Sequence, residues 1–223
     1  MRNVFLALFA LTCGTELLSQ LLDASLVHTI SKPLLLPLLI GYYVTSISSE
    51  ERSRTVLLAL VFSWLGDVLL MFQPQGELYF IGGLLAFLVA HLYYIFAYRQ
   101  FMIEDTSKAL LGVQRFRFSF PIILAGTGLV TVLYSHLGGL KIPVIIYALV
   151  LVLMVVNALF RFGRTSLTSF AMVFFGATLF MISDSMIAIN KFMLPIAYSG
   201  FWVMLTYLAA QYLIVQGLIK HRC

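Results

Sequence analysis

The sequence predicts an all-α membrane protein with eight transmembrane helices. Of its 223 residues, 61% are apolar and only 10% are charged, whereas a water-soluble domain has about a quarter charged residues to solvate its surface. The apolar residues occur in runs long enough to cross a hydrocarbon core about 30 Å thick, which takes about 20 helical residues. Lipid is therefore the expected solvent, and residues 1–223 are expected to form a single transmembrane domain.

Eight apolar runs give the predicted helices, because backbone amides at membrane depth must bond within their own segment. The runs are Val4–Leu22, Pro33–Ile47, Thr55–Phe72, Leu78–Tyr98, Phe118–His136, Ile142–Phe160, Ser169–Ile189 and Ala197–Ile219. Pro33 is expected at the start of the second helix, where its missing N–H does no harm. Arg2 and the first run also resemble a secretory signal, but Glu16 and Gln20 stand where cleavage requires small residues. An uncleaved first helix is therefore expected.

Eight spans separate the basic residues into a rich side and a poor side of the membrane. Only Lys32, Lys141 and Lys191 of the fourteen Lys and Arg residues fall on the poor side. The rich side, with both termini, is expected to face the cytoplasm, in a bacterial cytoplasmic membrane. This orientation accounts for the net charge of +5, so no nucleic-acid partner is predicted.

Two parallel four-helix repeats are one interpretation of the pattern. Asp67 and Asp184 each lie in the third helix of a half, and each is followed sixteen residues later by a glycine, Gly83 and Gly200. An even number of helices in each half makes such repeats parallel. Chance similarity between apolar segments is the alternative.

Three acidic residues lie inside the apolar runs, where a charge costs at least about 2.5 to 3.5 kcal/mol and is usually paired or functional. Asp67 and Asp184 are each five residues from the outer ends of their predicted helices, about 7 to 8 Å deep, and Glu16 lies at a similar level. The shared depth predicts one site, in which two aspartates share a proton as acid and base. The alternatives are that each aspartate only bonds a neighbouring helix, and that Glu16 extends to the interface.

Further polar side chains are candidates to bind or orient a substrate beside these acids. His91 and Tyr94 share one face of the fourth helix, and Tyr207 and Gln211 share one face of the eighth. Lys32, at the outer end of the second helix, is suited to meet a phosphate as a point charge. Interhelical hydrogen bonds are the alternative for the first four, and a helix-end anchor is the alternative for Lys32.

Several catalytic motifs are missing from the sequence, namely the G-x-S-x-G elbow, the H-E-x-x-H zinc pair and the phosphate-binding glycine loop. Leu65-Gly66-Asp67 partly matches the Gly-x-Gly-Asp of intramembrane aspartyl proteases. However, Trp64 stands where their first glycine would be, and Asp184 follows a serine instead of a tyrosine. The sequence does not favour that class.

A series of short motifs runs from Lys32 to the C-terminus. In order they are Lys32-Pro33-Leu34, Leu65-Gly66-Asp67, Tyr79 to Gly82, His91-Leu92-Tyr93-Tyr94, Gly176-Ala177, Ile182-Ser183-Asp184, Tyr207 and Gln211-Tyr212-Leu213-Ile214-Val215. This ordered set resembles the YhhN family of integral-membrane lysoplasmalogenases.

The resemblance implies hydrolysis of the vinyl ether bond of a lysoplasmalogen to a fatty aldehyde and glycerophospho-ethanolamine or glycerophospho-choline. Protonation of a vinyl ether at carbon creates an oxocarbenium ion that water captures, as in glycoside hydrolysis. Asp67 and Asp184 are the expected catalytic pair, and Lys32 would bind the head-group phosphate. The groups that would orient water or the ether oxygen are His91, Tyr94 and Gln211, with Tyr207 beside them and the role of Glu16 open.

The implied partners are a lysophospholipid substrate and membrane lipids, with no metal, organic cofactor or obligate protein partner. A proton-coupled transporter of lipids or small amphiphiles is the main alternative, because the same acids could form a proton relay. A structural or regulatory membrane protein is a third. Aldehyde release by purified protein in detergent distinguishes an enzyme from a transporter, which requires two compartments.

Overall fold

The computed structural model describes residues 1–22 and 24–221, and these ranges contain eight α-helices and no strand. The helices are α1 (Arg2–Leu21), α2 (Ser25–Ser46), α3 (Arg54–Met71), α4 (Glu77–Gln100), α5 (Gly112–Leu133), α6 (Lys141–Leu159), α7 (Leu167–Phe192) and α8 (Ser199–Ile219). All eight are long and apolar enough to span a membrane. The predicted fold class is confirmed, and the chain is a multi-pass membrane protein.

The surface of the helices is apolar, as lipid contact requires. Leucine, isoleucine and phenylalanine side chains are exposed along most helices, for example Leu26 on α2, Leu85 on α4, Phe120 on α5 and Phe175 on α7. A water-soluble protein rarely exposes apolar patches of this extent. The exposed side chains therefore agree with the composition in assigning these faces to the hydrocarbon.

Several helices extend beyond the predicted apolar runs, most clearly α2, α5 and α7. α2 begins at Ser25, eight residues before the expected start at Pro33. α5 begins at Gly112, where the Gln114 side chain accepts the Leu111 backbone N–H at 2.9 Å, and α7 continues to Phe192. Polar residues lengthen these helices beyond their apolar cores, so hydropathy alone places their ends too far inward.

The described chain forms two compact units, Met1–Ala97 and Tyr98–Cys223. Unit 1 contains α1 to α3 and most of α4, and unit 2 contains the last residues of α4 and α5 to α8. The single domain and the internal repeat predicted from the sequence both stay predictions.

In unit 1, two prolines lie inside α2 instead of at its start. Pro37 has no N–H to donate to the carbonyl of Pro33, one turn earlier, and such a freed carbonyl is costly where no water is available. The indole N–H of Trp64, on α3, donates to this carbonyl at 2.9 Å. The bond gives the Pro33 carbonyl a donor in place of the missing Pro37 N–H, and it joins α2 to α3.

We expect Trp64→Phe to destabilise the protein by about 1 to 3 kcal/mol, because it leaves the part-buried Pro33 carbonyl without its donor. The thermal midpoint of the purified protein in detergent measures this loss. Trp202→Phe is the matched control, since Trp202 is 47% exposed and its change should stay within about 0.5 kcal/mol. Equal midpoints for the two variants would contradict the role of Trp64.

In unit 2, α7 and α8 pack closely through two glycines. A Cβ atom on Gly176 would lie 2.8 Å from Ile214 Cγ1 and 3.0 Å from the Ala210 carbonyl oxygen, and one on Gly217 would lie 2.7 Å from Val173 Cγ2. Small residues at such crossings let transmembrane helices approach each other. The two glycines therefore hold the facing sides of α7 and α8 in close contact.

The connections at one end of unit 2 are held together by a buried arginine. Arg161, between α6 and α7, is fully buried and donates to the carbonyl of Phe101 and to both the carbonyl and the Oγ of Ser169. Ser169 Oγ in turn donates to the Gly217 carbonyl at 2.6 Å. The α4–α5 connection, the start of α7 and the end of α8 are therefore joined at one residue.

A close backbone contact adds to this bracing. Gly163 has φ of +70°, and a Cβ atom there would lie 1.9 Å from the carbonyl oxygen of Lys108. The Ile103 N–H donates to the Arg164 carbonyl at 2.8 Å. Only glycine fits both the left-handed backbone and the space, so the α4–α5 and α6–α7 connections are locked together.

Candidate functional site

Asp67 is buried on α3 of unit 1, with 3% of its surface exposed. The residue before it, Gly66, lies against α4, where an added Cβ would come within 2.6 Å of the Phe87 ring. A Cβ on Gly83 would lie 2.7 Å from Leu70 Cδ2 and 3.4 Å from the Gly66 carbonyl oxygen. These glycines set the close α3–α4 approach beside Asp67, which fixes the backbone that holds the carboxyl group.

His91 and Tyr94 lie on α4, one and two turns beyond Phe87, and both are fully buried. The ring of His91 stacks on Phe87, with centroids 6.5 Å apart. Phe87 thus contacts both Gly66 and His91. The structure therefore places Asp67, His91 and Tyr94 on the packed α3–α4 pair of unit 1.

Glu16 lies on α1 at the centre of a polar cluster that the sequence analysis did not identify. One carboxylate oxygen contacts His28 Nδ1 at 2.7 Å and Gln20 Nε2 at 3.0 Å, and the other accepts the Ser31 hydroxyl at 2.5 Å. Gln20 Nε2 also lies 2.8 Å from His28 Nδ1. Glu16 is fully buried, so its carboxylate is enclosed by protein groups.

A helical signal for this cluster was present in the sequence. Glu16 and Gln20 are four residues apart, and His28 and Ser31 are three apart, so each pair shares one helix face. The apolar run starting at Pro33 placed His28 and Ser31 before the second helix, whereas α2 includes both. Lys32 was predicted at the outer end of the second helix, but it is the eighth residue of α2, where it is half-buried.

Asp184 is buried on α7 of unit 2, with 8% of its surface exposed. The hydroxyl of Tyr147, on α6, donates to its Oδ2 at 2.5 Å. The preceding residue, Ser183, donates its hydroxyl to the Val203 carbonyl on α8 at 3.1 Å. Tyr147 orients the carboxyl group, and no motif in the sequence distinguished it from the other tyrosines.

Tyr207 and Gln211 meet on α8, as their spacing predicted. Gln211 Nε2 donates to the Tyr207 hydroxyl at 3.2 Å, and both side chains are buried. The Tyr207 ring makes an edge contact with Phe180, 5.4 Å between centroids, and Phe180 is one turn before Asp184 on α7. The structure therefore joins Tyr207 and Gln211 to the helix that bears Asp184.

The two aspartates differ in their distance from the ends of their helices. Asp67 lies four residues before Met71, the end of α3, and Asp184 lies eight residues before Phe192, the end of α7. These separations correspond to about 6 and 12 Å along the helix axes. The difference arises because α7 extends beyond its apolar run, and the shared depth of the two carboxyl groups stays a prediction.

Comparison with known proteins gives a family match over most of the chain. The YhhN family model matches residues 27–218. Lysoplasmalogenase TMEM86A of Bos taurus is 30% identical over 189 residues, covering 82% of this chain and 71% of that protein. Lysoplasmalogenase TMEM86A of Homo sapiens is 31% identical over 186 residues, covering 78% and 69%.

A bacterial relative is similar at a comparable level. The lysoplasmalogenase of Mycobacterium tuberculosis is 35% identical over 173 residues, covering 75% of this chain and 61% of that protein. No solved structure matches the chain. The family match includes both aspartates and all the candidate residues except Glu16, which precedes it.

Proposed function

Because the chain belongs to the YhhN family, we propose that it is a lysoplasmalogenase. Its substrate would be a lysoplasmalogen, and its products a fatty aldehyde and glycerophospho-ethanolamine or glycerophospho-choline. The observation that supports this most is the match to relatives named lysoplasmalogenase over about four-fifths of the chain. The buried aspartates within the matched region supply the carboxyl groups that the reaction needs.

The proposed reaction consumes one water molecule and needs only proton transfers. A carboxylic acid protonates the vinyl ether at carbon, and the resulting oxocarbenium ion is stabilised by a carboxylate until water adds to it. The hemiacetal then collapses to the aldehyde and the free glycerol hydroxyl, and the acid regains its proton. We assign these roles to Asp67 and Asp184 as a pair and leave open which is the acid.

The residues around each aspartate support this assignment, because they fix the position of its carboxyl group or of its backbone. Tyr147 donates to Asp184, and the glycine contacts of α3 and α4 fix the backbone at Asp67. Two buried polar side chains, His91 on α4 and Gln211 on α8, are suited to orient water or the ether oxygen. Catalytic groups on packed helices are more precisely positioned than groups on loops.

The test of the function is aldehyde release by the purified protein in detergent. A lysoplasmalogen and the lysolipid with the saturated ether at the same position are supplied in parallel, and only the vinyl ether should yield aldehyde. The single-compartment assay excludes vectorial transport as the source of signal. An active preparation supports the proposal, and absence of aldehyde from a folded protein with several lysoplasmalogen head groups would favour a transporter.

We expect Lys32→Ala to raise KM roughly tenfold while leaving kcat nearly unchanged, because an ammonium group on the head-group phosphate contributes uniform binding. Steady-state kinetics with a lysoplasmalogen measures both constants. Lys141→Ala is the matched control, since Lys141 is another lysine of the predicted basic-poor side, and it lies over the Tyr134 ring. A fall in kcat at constant KM would contradict this role of Lys32.

We also propose that both termini face the cytoplasm, as the distribution of Lys and Arg predicts. In this orientation the ends of α3 and α7 nearer the aspartates face the other side of the membrane. Lysophospholipid would then reach the carboxyl groups from that leaflet.

A further inference from the structure

Unit 2 contains a cavity lined by three arginines at the end where α4 and α6 finish. The cavity has a volume of about 290 Å³. Its lining residues come from three helices and two connections, and they are Arg99, Met102, Arg115, Asn157, Phe160 and Arg164. None of them is acidic, so the lining has a charge of three positive units and no internal counter-charge.

Each guanidinium group is held in place by its Nε–H. Arg99 Nε donates to Asn157 Oδ1 at 2.9 Å, and Arg164 Nε donates to the Ile103 carbonyl at 3.0 Å. Arg115 Nε donates to the Leu110 carbonyl at 3.1 Å. In the described part of the chain, no acid lies within salt-bridge distance of these three residues. Their terminal amino groups are therefore the donors available to a ligand.

Two further contacts make this a preorganised arrangement. Asn157 is 6% exposed and donates its Nδ2 to the Leu153 carbonyl at 2.7 Å, so its Oδ1 is fixed as the acceptor for Arg99. Arg115 lies over the Phe160 ring, with Cζ 5.2 Å from the centroid. Orientation of a membrane protein by its loop charges requires arginines on one side, but it does not require them to converge on one cavity.

The charges and geometry indicate an oxyanion as the ligand. Converging cations repel one another, and arginine donors in a fixed fork match the oxygens of phosphate. The volume is at the small end of the range for ligand pockets, which suits a phosphate-bearing head group and not a whole lipid. We propose that this cavity binds the phosphate group of an anionic ligand.

This site is separate from the proposed catalytic residues. α7 begins at Leu167, and Asp184 is seventeen residues further along it, about 25 Å at 1.5 Å per residue. In a lysoplasmalogen, the phosphate and the vinyl ether are both attached to one glycerol unit. The phosphate of a lipid reacting at Asp184 therefore cannot occupy the arginine cavity, and the cavity is a second anion site.

The test uses the purified full-length protein and two sources of phosphate. In one arm, inorganic phosphate is added in neutral detergent at constant ionic strength, with chloride as the reference. In the other arm, the protein is placed in phosphatidylcholine bilayers with or without an anionic phospholipid that has a phosphomonoester head group. Binding and the thermal midpoint are measured in each arm.

The variants Arg115→Gln and Arg164→Gln remove cavity donors, and Arg117→Gln is the matched control. Arg117 is exposed on the same helix as Arg115 and does not line the cavity. We expect each cavity variant to weaken phosphate binding at least about tenfold, and Arg117→Gln to leave it unchanged. Midpoints without ligand identify any variant that fails to fold.

A response in the detergent arm supports a soluble phosphate ligand, and a response only in bilayers supports a lipid head group. The proposal is overturned if phosphate binds in neither arm, or if Arg117→Gln weakens binding as much as the cavity variants. Neither readout depends on aldehyde release, so failure here and failure of the proposed enzymatic activity are distinguishable.

Discussion

Asp67→Asn and Asp184→Asn are each expected to lower the rate of aldehyde release by at least about 100-fold. General acid–base groups contribute about 10² to 10⁴ in rate, and asparagine keeps the size of aspartate but cannot donate or accept the proton in transfer. Initial rates of the purified variants with a lysoplasmalogen measure the loss. Asp105→Asn is the matched control, because Asp105 is an exposed residue of the α4–α5 connection.

The double variant tests whether the two aspartates act together. Residues that act as a unit are strongly non-additive, so removing both should cost about as much as removing one. Two independent roles would instead multiply the losses. Normal activity in either single variant, with the detergent-solubilised protein folded, would remove the proposed mechanism while leaving the family assignment intact.

Arg161→Met is expected to give the largest loss of stability, roughly 3 kcal/mol or more. The substitution leaves the carbonyls of Phe101 and Ser169 and the Ser169 hydroxyl without their buried donor, and each such loss costs about 1 to 3 kcal/mol. Thermal denaturation in a single detergent measures the change. Arg161→Lys should recover only part, because an ammonium group cannot match the planar fork of guanidinium.

Arg117→Met is the control for this effect, since Arg117 is exposed and should change stability by no more than about 0.5 kcal/mol. Comparable losses for the two methionine variants would contradict the bracing role of Arg161.

Burial lowers the pKa of Arg161 to about 10, so the side chain is still charged at neutral pH. Because its pKa is lower in the folded protein than in the unfolded chain, Arg161 binds its proton less tightly when the protein is folded. Its titration should therefore leave stability constant up to about pH 9 and raise it above pH 10.

The helices could be predicted from the sequence because the apolarity of a span is a local property. The start of α2 could not, because His28 and Ser31 are polar and are accommodated by Glu16 on a different helix. A pattern read along one segment contains no information about a partner in another. The role of Tyr147 could not be predicted for the same reason, because its contact with Asp184 depends on how α6 packs against α7.

The arginines illustrate a different limit of the sequence. Their positions between apolar runs indicated membrane orientation, and nothing in the pattern separated Arg161, which is fully buried, from Arg117, which is exposed. The convergence of Arg99, Arg115 and Arg164 likewise depends on segments that are far apart in the chain. Charge sign could be predicted from composition, whereas burial and grouping required the folded structure.

The bond from Trp64 to the Pro33 carbonyl gives the protein a built-in optical probe. The chain has two tryptophans, and the other, Trp202, is exposed on α8. In the Trp202→Phe background, all indole emission arises from a ring that is bonded beside Lys32 and lies three residues before Asp67. Fluorescence from this single chromophore can therefore follow ligand arrival at unit 1 in real time, without any attached dye.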